Sequence, residues 1–109
     1  MKRIALVAAV VTALAAALPA MAATPVYTGT VGPGFTIKML KQPAMAGPIK
    51  LVIQDKSNAH NFHLTGPGVN VKTSVPVVGT KTFNVTLKKG VYKFVCDPHP
   101  FMKGSFTVK

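Results

Sequence analysis

Residues 81–102 read KTFNVTLKKGVYKFVCDPHPFM, and the part up to Cys96 decides the fold class. Apolar and polar side chains alternate from Lys81 to Leu87, which is the period of a β-strand with one buried face. The sequence Lys-Lys-Gly that follows predicts a tight turn, and residues 91–96 predict the next strand. The stretch therefore predicts two strands joined by a short turn.

Short apolar-rich runs recur through the rest of the chain. They predict further strands over residues 35–39, 49–54, 59–65 and 104–108, with a polar turn at 55–58. Nine glycines and nine prolines interrupt the chain too often for long helices, and no run has a useful helical period. Closely spaced strands between such turns predict an all-β sandwich or barrel.

Residues 1–22 have the features of a secretory signal peptide. Met1-Lys2-Arg3 is positively charged, residues 4–18 are almost entirely apolar, and Ala20-Met21-Ala22 offers small residues at the cleavage positions. The apolar run is shorter than the roughly 20 residues that span a bilayer, which favours cleavage over a membrane anchor. We expect a mature chain of residues 23–109 that forms one domain, is periplasmic or secreted, and has no stable membrane insertion.

The charge of the mature chain is strongly positive. Without Lys2 and Arg3 it keeps 11 lysines against two carboxylates, a formal charge of +9, and it has no arginine. Nucleic-acid binding favours arginine and clustered basic runs, whereas these lysines are scattered except for Lys88-Lys89. The lysines either form a solvated surface with protected sheet edges or steer an acidic partner toward the protein.

Four side chains suggest a metal site. Cys96, His99 and Met102 lie within one short segment, and His60 lies upstream. Cys96 is the only cysteine, so it has no disulfide partner within the chain. One Cys, two His and one Met form the ligand set of a blue-copper site, because thiolate and thioether suit Cu(I) and imidazole suits both oxidation states.

The sequence around these residues supports a preformed site. Pro98 and Pro100 flank His99, where they fix φ and remove backbone donors. A stiff loop loses less conformational entropy when it binds its ligand. We expect Gly104 to let the chain turn sharply into the last strand.

Strand alternation chooses between the two upstream histidines. In the predicted strand His60 shares the face of Phe62 and Leu64, whose large apolar side chains mark the core side. Asn61 and His63 take the opposite face. We therefore predict His60 as the buried ligand, and His63 as a partly exposed residue or an outer partner of the site.

Three other interpretations of Cys96 remain open at this point. It could be a buried structural cysteine, a catalytic thiol paired with His99, or a ligand of structural zinc. A catalytic thiol would need an orienting group and oxyanion donors, and none is obvious in the sequence. Zinc accepts Met poorly, although Asp97 could replace Met102 as its ligand.

The residues around Cys96 resemble a known family. The segment YKFVCDPHPFMKG, residues 92–104, resembles the ligand loop of the plastocyanin/azurin family of cupredoxins, in the short form found in amicyanins. The segment AHNFH, residues 59–63, resembles the upstream His-Asn motif. The resemblance implies a Greek-key β-sandwich of seven or eight strands that holds one type 1 copper ion, with these ligands: His60, Cys96, His99 and Met102.

The resemblance also implies roles for neighbouring residues. Asn61 would tie the two ligand loops together, and Pro100 with Phe101 would form an apolar patch around His99 where electrons pass. Asp97 departs from the family, which commonly has a small polar residue there. A carboxylate beside the thiolate should favour Cu(II).

The implied function is one-electron transfer between redox partners, not enzymatic catalysis. We expect a monomer that meets its partner only transiently, and the lysines favour an acidic partner such as a cytochrome or a dehydrogenase. Two alternatives are a periplasmic copper carrier or buffer, and a metal-stabilised domain that binds a partner.

Overall fold

Eight β-strands make up the regular structure of the residues that the computed structural model describes, which are 8–10 and 23–109. None of these residues lies in a helix, so no helix here could cross a membrane. Most of the predicted signal peptide, including its cleavage site, lies outside them. In chain order the strands are β1 (Val26–Val31), β2 (Ile37–Met39), β3 (Gly47–Asp55), β4 (His63–Gly66), β5 (Val69–Lys72), β6 (Gly79–Leu87), β7 (Gly90–Cys96) and β8 (His99–Val108).

The strands form two four-stranded sheets. Their orders are β2-β1-β3-β6 and β5-β4-β7-β8. β1 and β3 are parallel, and every other pair is antiparallel. The chain passes between the sheets after β3, after β5 and after β6, as the strands of Greek-key sandwiches do. The predicted all-β sandwich of seven to eight strands is confirmed.

Stacked aromatic rings between the sheets support the strand that carries Cys96. Along β7 the side chains of Tyr92, Phe94 and Cys96 alternate into the core. Phe94 stacks on Phe62 with ring centroids 5.4 Å apart, and Tyr92 stacks on Phe106 at 5.3 Å. Cys96 is the last inward-facing residue of β7 and is 0% exposed, so its thiol lies at the end of a rigidly packed row.

The last strand begins earlier than predicted. β8 starts at His99 instead of Gly104, and Cys96 pairs with His99, so only Asp97 and Pro98 form the turn. Val95 pairs with Lys103, which leaves residues 100–102 as a bulge in β8. The segment predicted as a loop is thus a two-residue turn followed by a bulge.

The strand predicted over residues 59–65 begins later than predicted, since β4 starts at His63. The preceding backbone donors bond elsewhere: the Asn61 amide donates to Cys96 Sγ and the Phe62 amide donates to the Thr73 hydroxyl. In the strand predicted over 35–39, only 37–39 pair. β1 and β5 were not predicted, since Gly29 interrupts the first and the second has only four residues.

Gly104 has a different role from the one predicted. It lies within β8 opposite Phe94, not at a turn. A Cβ at this position would overlap the Phe94 ring. The residue is glycine because the stacked ring that supports the Cys96 strand occupies the space of a side chain.

Replacing Gly104 with alanine should destabilise the fold by about 1–3 kcal/mol, since the added methyl group must displace a packed ring. Urea unfolding of the metal-free protein measures this change. Gly34→Ala is the matched control, because nothing lies within 4 Å of its Cβ position. We expect it to change stability by less than about 0.5 kcal/mol. Equal stability of the two variants would contradict the packing role of Gly104.

Candidate metal site

Three of the four predicted ligands converge at one end of the sandwich. The Nδ1 atoms of His60 and His99 lie 3.0 Å apart, and Cys96 Sγ lies 3.7 Å from each of them. His60 and Cys96 are buried, whereas His99 is half-buried. Across the described residues this is the one group of three His, Cys, Asp or Glu side chains that could hold a metal ion.

The three donor atoms fit a metal ion by distance and by type. The point equidistant from them lies about 2.0 Å from each, and metal–imidazole and metal–thiolate bonds are about 2.0–2.3 Å in zinc proteins. Two imidazoles and one thiolate around that point are the three strong donors of a blue-copper site. The residues present therefore fit copper without rearrangement of the donors.

Met102 is the fourth predicted ligand. It is 3% exposed and belongs to the same buried cluster as Cys96. It ends the bulge in β8, next to the Val95–Lys103 pair and therefore beside the end of β7. The register thus places Met102 beside the end of β7 that carries Cys96, and its role as a copper ligand stays a prediction.

A buried carboxylate shapes the turn that leads to His60. Asp55, at the end of β3, accepts hydrogen bonds from the Ser57 amide at 3.0 Å and from the Thr73 hydroxyl at 3.5 Å. Burial raises the pKa of Asp55 above its usual 3.8, although these hydrogen bonds oppose the shift. The sequence predicts Asp55 only as part of the turn at 55–58. Its burial could not be predicted, because it depends on contact with Thr73, which is distant in the chain.

Asn61 joins the two segments that carry the ligands. Its side-chain Oδ1 accepts from the Asp97 amide at 2.8 Å, and its Nδ2 donates to Asp97 Oδ2 at 2.8 Å and to the Thr73 carbonyl at 3.2 Å. Its backbone amide donates to Cys96 Sγ at 3.4 Å. Asn61 is only 2% exposed, so the predicted outward position is wrong, whereas the linking role implied by the resemblance is confirmed.

His63 lies outside the converging donors and contacts Asp97. Its Nδ1 is 2.8 Å from Asp97 Oδ1, and its Nε2 is 2.7 Å from Asn70 Oδ1. Burial acts to lower the pKa of His63, but these hydrogen bonds outweigh it and hold the pKa above 6.5. Burial acts to raise the pKa of Asp97, but hydrogen bonds with Asn61 and His63 outweigh it and hold the pKa below 3.8. The predicted partly exposed, outer position of His63 is confirmed.

An aromatic residue missed in the sequence covers the site. The Phe35 ring lies 5.4 Å from the His60 ring, 5.3 Å from the His99 ring and 5.7 Å from the Phe101 ring. Phe35 and Phe101 are 65% and 67% exposed. The sequence signal for this role is a large aromatic residue directly after Gly32-Pro33-Gly34, but the alternation of residues 35–39 predicts a strand instead. Together with Pro100, these two rings form an apolar rim around His99.

The His63–Asp97 pair should stabilise the metal-free protein over a limited pH range. Folding favours protonated His63, so its contribution is complete below pH 6.5 and is lost as the pH rises through the folded-state pKa. Folding favours ionised Asp97, so its contribution is complete above pH 3.8 and is lost as the pH falls through the folded-state pKa. Both groups are partly exposed, which limits the effect to about 1 kcal/mol.

Unfolding of wild type and His63→Ala at pH 5 and pH 8.5 measures this contribution. We expect the variant to lose more stability at pH 5 than at pH 8.5. Asp97→Asn is the control, because in that background the His63 substitution should lose most of its pH dependence and keep only the part due to the Asn70 hydrogen bond. An equal loss of stability in His63→Ala at both pH values would contradict a stabilising His63–Asp97 ion pair.

Comparison with known proteins agrees with this geometry. The sequence profile of the family described as "Cupredoxin-like domain" matches residues 3–108. Amicyanin-alpha from Methylorubrum extorquens is 40% identical over 53 residues, which cover 46% of this chain. The aligned part spans 44% of the length of amicyanin-alpha, less than half of that relative.

Solved structures show the same fold at low sequence identity. Auracyanin from the photosynthetic bacterium Roseiflexus castenholzii has a TM-score of 0.58 and 20% identity, with 82% of this chain and 99% of auracyanin covered. Rusticyanin from Thiobacillus ferrooxidans has a TM-score of 0.53 and 19% identity, with 79% of this chain and 77% of rusticyanin covered. Since the family profile spans nearly the whole chain, the resemblance seen in residues 92–104 is confirmed: this chain belongs to the cupredoxin-like family, whose cofactor is one copper ion.

Proposed function

We propose that this protein is a type 1 copper protein that carries single electrons between redox partners. His60, Cys96, His99 and Met102 would hold the ion. The observation that carries the proposal is the convergence of the three donor atoms around one point about 2.0 Å from each. The bound ion supplies the Cu(I)/Cu(II) couple.

The surroundings of the donors favour electron transfer over catalysis. His60 and Cys96 are buried, and Asn61 holds the segment that contains Cys96 by donating its amide to Cys96 Sγ and accepting from the Asp97 amide. A site held this firmly changes little between oxidation states, so little reorganisation opposes the transfer. The donors face one another, which leaves a closed site for the metal and not an open position for a substrate.

The apolar rim offers a path for the electron. His99 is half-buried, and the exposed rings of Phe35 and Phe101 lie beside its imidazole. A partner that covers this rim would exclude water and bring its own redox group close to a copper ligand. Such a contact can be small, as transient redox interfaces are.

The charge of the chain suggests the nature of the partner. A formal charge of +9 on the mature chain favours a transient encounter with an acidic redox protein, such as a cytochrome or a dehydrogenase. The features of residues 1–22 support export to the periplasm or beyond. In this proposal the mature domain acts as a monomer, because transient transfer needs its rim uncovered.

Copper titration of the metal-free mature protein tests the site. Wild type should take up one Cu(II) and show an intense blue thiolate-to-copper absorption band. Cys96→Ala and His60→Ala should abolish the band because each removes a predicted copper ligand, whereas His63→Ala should keep it. A colourless copper complex of wild type would refute the proposal. Loss of the band in His63→Ala but not in His60→Ala would show that the ligand assignment is wrong.

Replacing Phe101 with serine should slow electron self-exchange between reduced and oxidised protein, measured by NMR at high salt. We expect a roughly tenfold decrease, equivalent to about 1.4 kcal/mol in the activation free energy. Val91→Ser is the control, because Val91 is also exposed but lies at the far end of β7. Equal rates for the two variants would contradict transfer through the rim. Rapid copper exchange with a chelator without measurable electron exchange would favour the copper-carrier alternative.

A further inference from the structure

Asp97 occupies a position that links several parts of the site. The chain contains only two acidic residues, and this one directly follows Cys96. Its two carboxylate oxygens contact different side chains: Oδ2 accepts from Asn61 Nδ2, and Oδ1 lies 2.8 Å from His63 Nδ1. The orientation of the carboxylate is therefore fixed from both sides.

His63 is itself held on both sides. Each of its ring nitrogens faces an oxygen, Asp97 Oδ1 at 2.8 Å and Asn70 Oδ1 at 2.7 Å, so an imidazolium can donate to both. On the neighbouring strands its register partners are Lys72 of β5 and Val95 of β7. Asp97 is thus the anionic group that contacts His63, and Lys72 is the cationic group that faces it.

The hydrogen bonds continue from Asp97 to the thiol. Asn61 is held by Asp97 at both ends of its side-chain amide, with both distances 2.8 Å. The backbone amide of the same residue points at Cys96 Sγ at 3.4 Å. The contacts form one chain that runs from His63 through Asp97 and Asn61 to the sulfur atom.

We propose that His63 is a positioning residue for the copper site, which holds Asp97 and Asn61 so that the Asn61 amide stays on the Cys96 sulfur and keeps the reduction potential high. This inference rests on the proposed copper function. A hydrogen bond to the thiolate withdraws electron density from it and favours Cu(I), and such outer contacts tune metal sites.

Voltammetry of the copper-loaded protein at pH 6 tests the effect on the potential. His63→Ala should lower the potential by about 59 mV, which corresponds to a tenfold shift of the one-electron equilibrium toward Cu(II). Lys72→Gln is the control, because it removes a positive charge beside His63 but leaves the hydrogen bonds intact. A shift in Lys72→Gln as large as that in His63→Ala, or no shift in His63→Ala, would overturn the inference.

Hydrogen exchange of the Asn61 amide, followed by NMR in the metal-free protein, tests the positioning without copper. Exchange should be about tenfold faster in His63→Ala than in wild type. His63→Asn should retain most of the protection, because an asparagine amide can donate to Asp97 from nearly the position of Nδ1. Unchanged exchange in His63→Ala would overturn the positioning role.

The two experiments separate this inference from the proposed function. A wild-type protein that takes up no copper would refute the electron-carrier proposal, and with it the effect on the potential. A blue wild-type protein whose potential and Asn61 exchange are both insensitive to His63→Ala would refute the inference alone.

Discussion

The two hydrogen bonds between Asn61 and Asp97 hold the halves of the site together. The Asp97 amide donates to the Asn61 side chain, and that side chain donates back to the Asp97 carboxylate, both at 2.8 Å. The residues are 36 positions apart, and each directly follows a predicted copper ligand. This contact therefore limits the separation of His60 and Cys96, because each ligand is joined to one of the two bonded residues by a single planar peptide unit.

The rest of the fold supports that contact from below and from outside. Below it, the stacked rings of Phe62 and Phe94 hold the segment after His60 against the strand that carries Cys96. Outside it, His63 contacts the free carboxylate oxygen of Asp97. In a chain with 11 lysines after residue 22, both carboxylates serve the loops around the site. The remaining surface charge stays positive and free to attract an acidic partner.

The sequence was sufficient for the parts of the structure that depend on local pattern. Alternation identified most of β6, and short apolar-rich runs between turns identified most of β3 and β7, because these signals lie within a few neighbouring residues. The ligand types and the proline-flanked segment predicted the convergence of His60, Cys96 and His99, since few other chemistries need that combination.

What the sequence could not provide depends on contacts between distant residues. β4 begins only at His63 because the backbone amides of Asn61 and Phe62 donate to Cys96 and Thr73 instead of to a neighbouring strand. Asn61 is buried for the same reason, although strand alternation predicts that it faces away from the core. Phe35 belongs to the site only because a turn between β1 and β2 brings it over the imidazoles, and no local period encodes that placement.

The central claim is that the folded chain presents a donor set already arranged for copper. X-ray absorption spectroscopy of the loaded protein in both oxidation states measures this most directly. We predict two nitrogen ligands and one sulfur ligand at short distance, near the 2.0 Å given by the donor positions, and almost unchanged between Cu(I) and Cu(II). A first coordination shell made of oxygen atoms, or one that loses a ligand on reduction, would contradict the account.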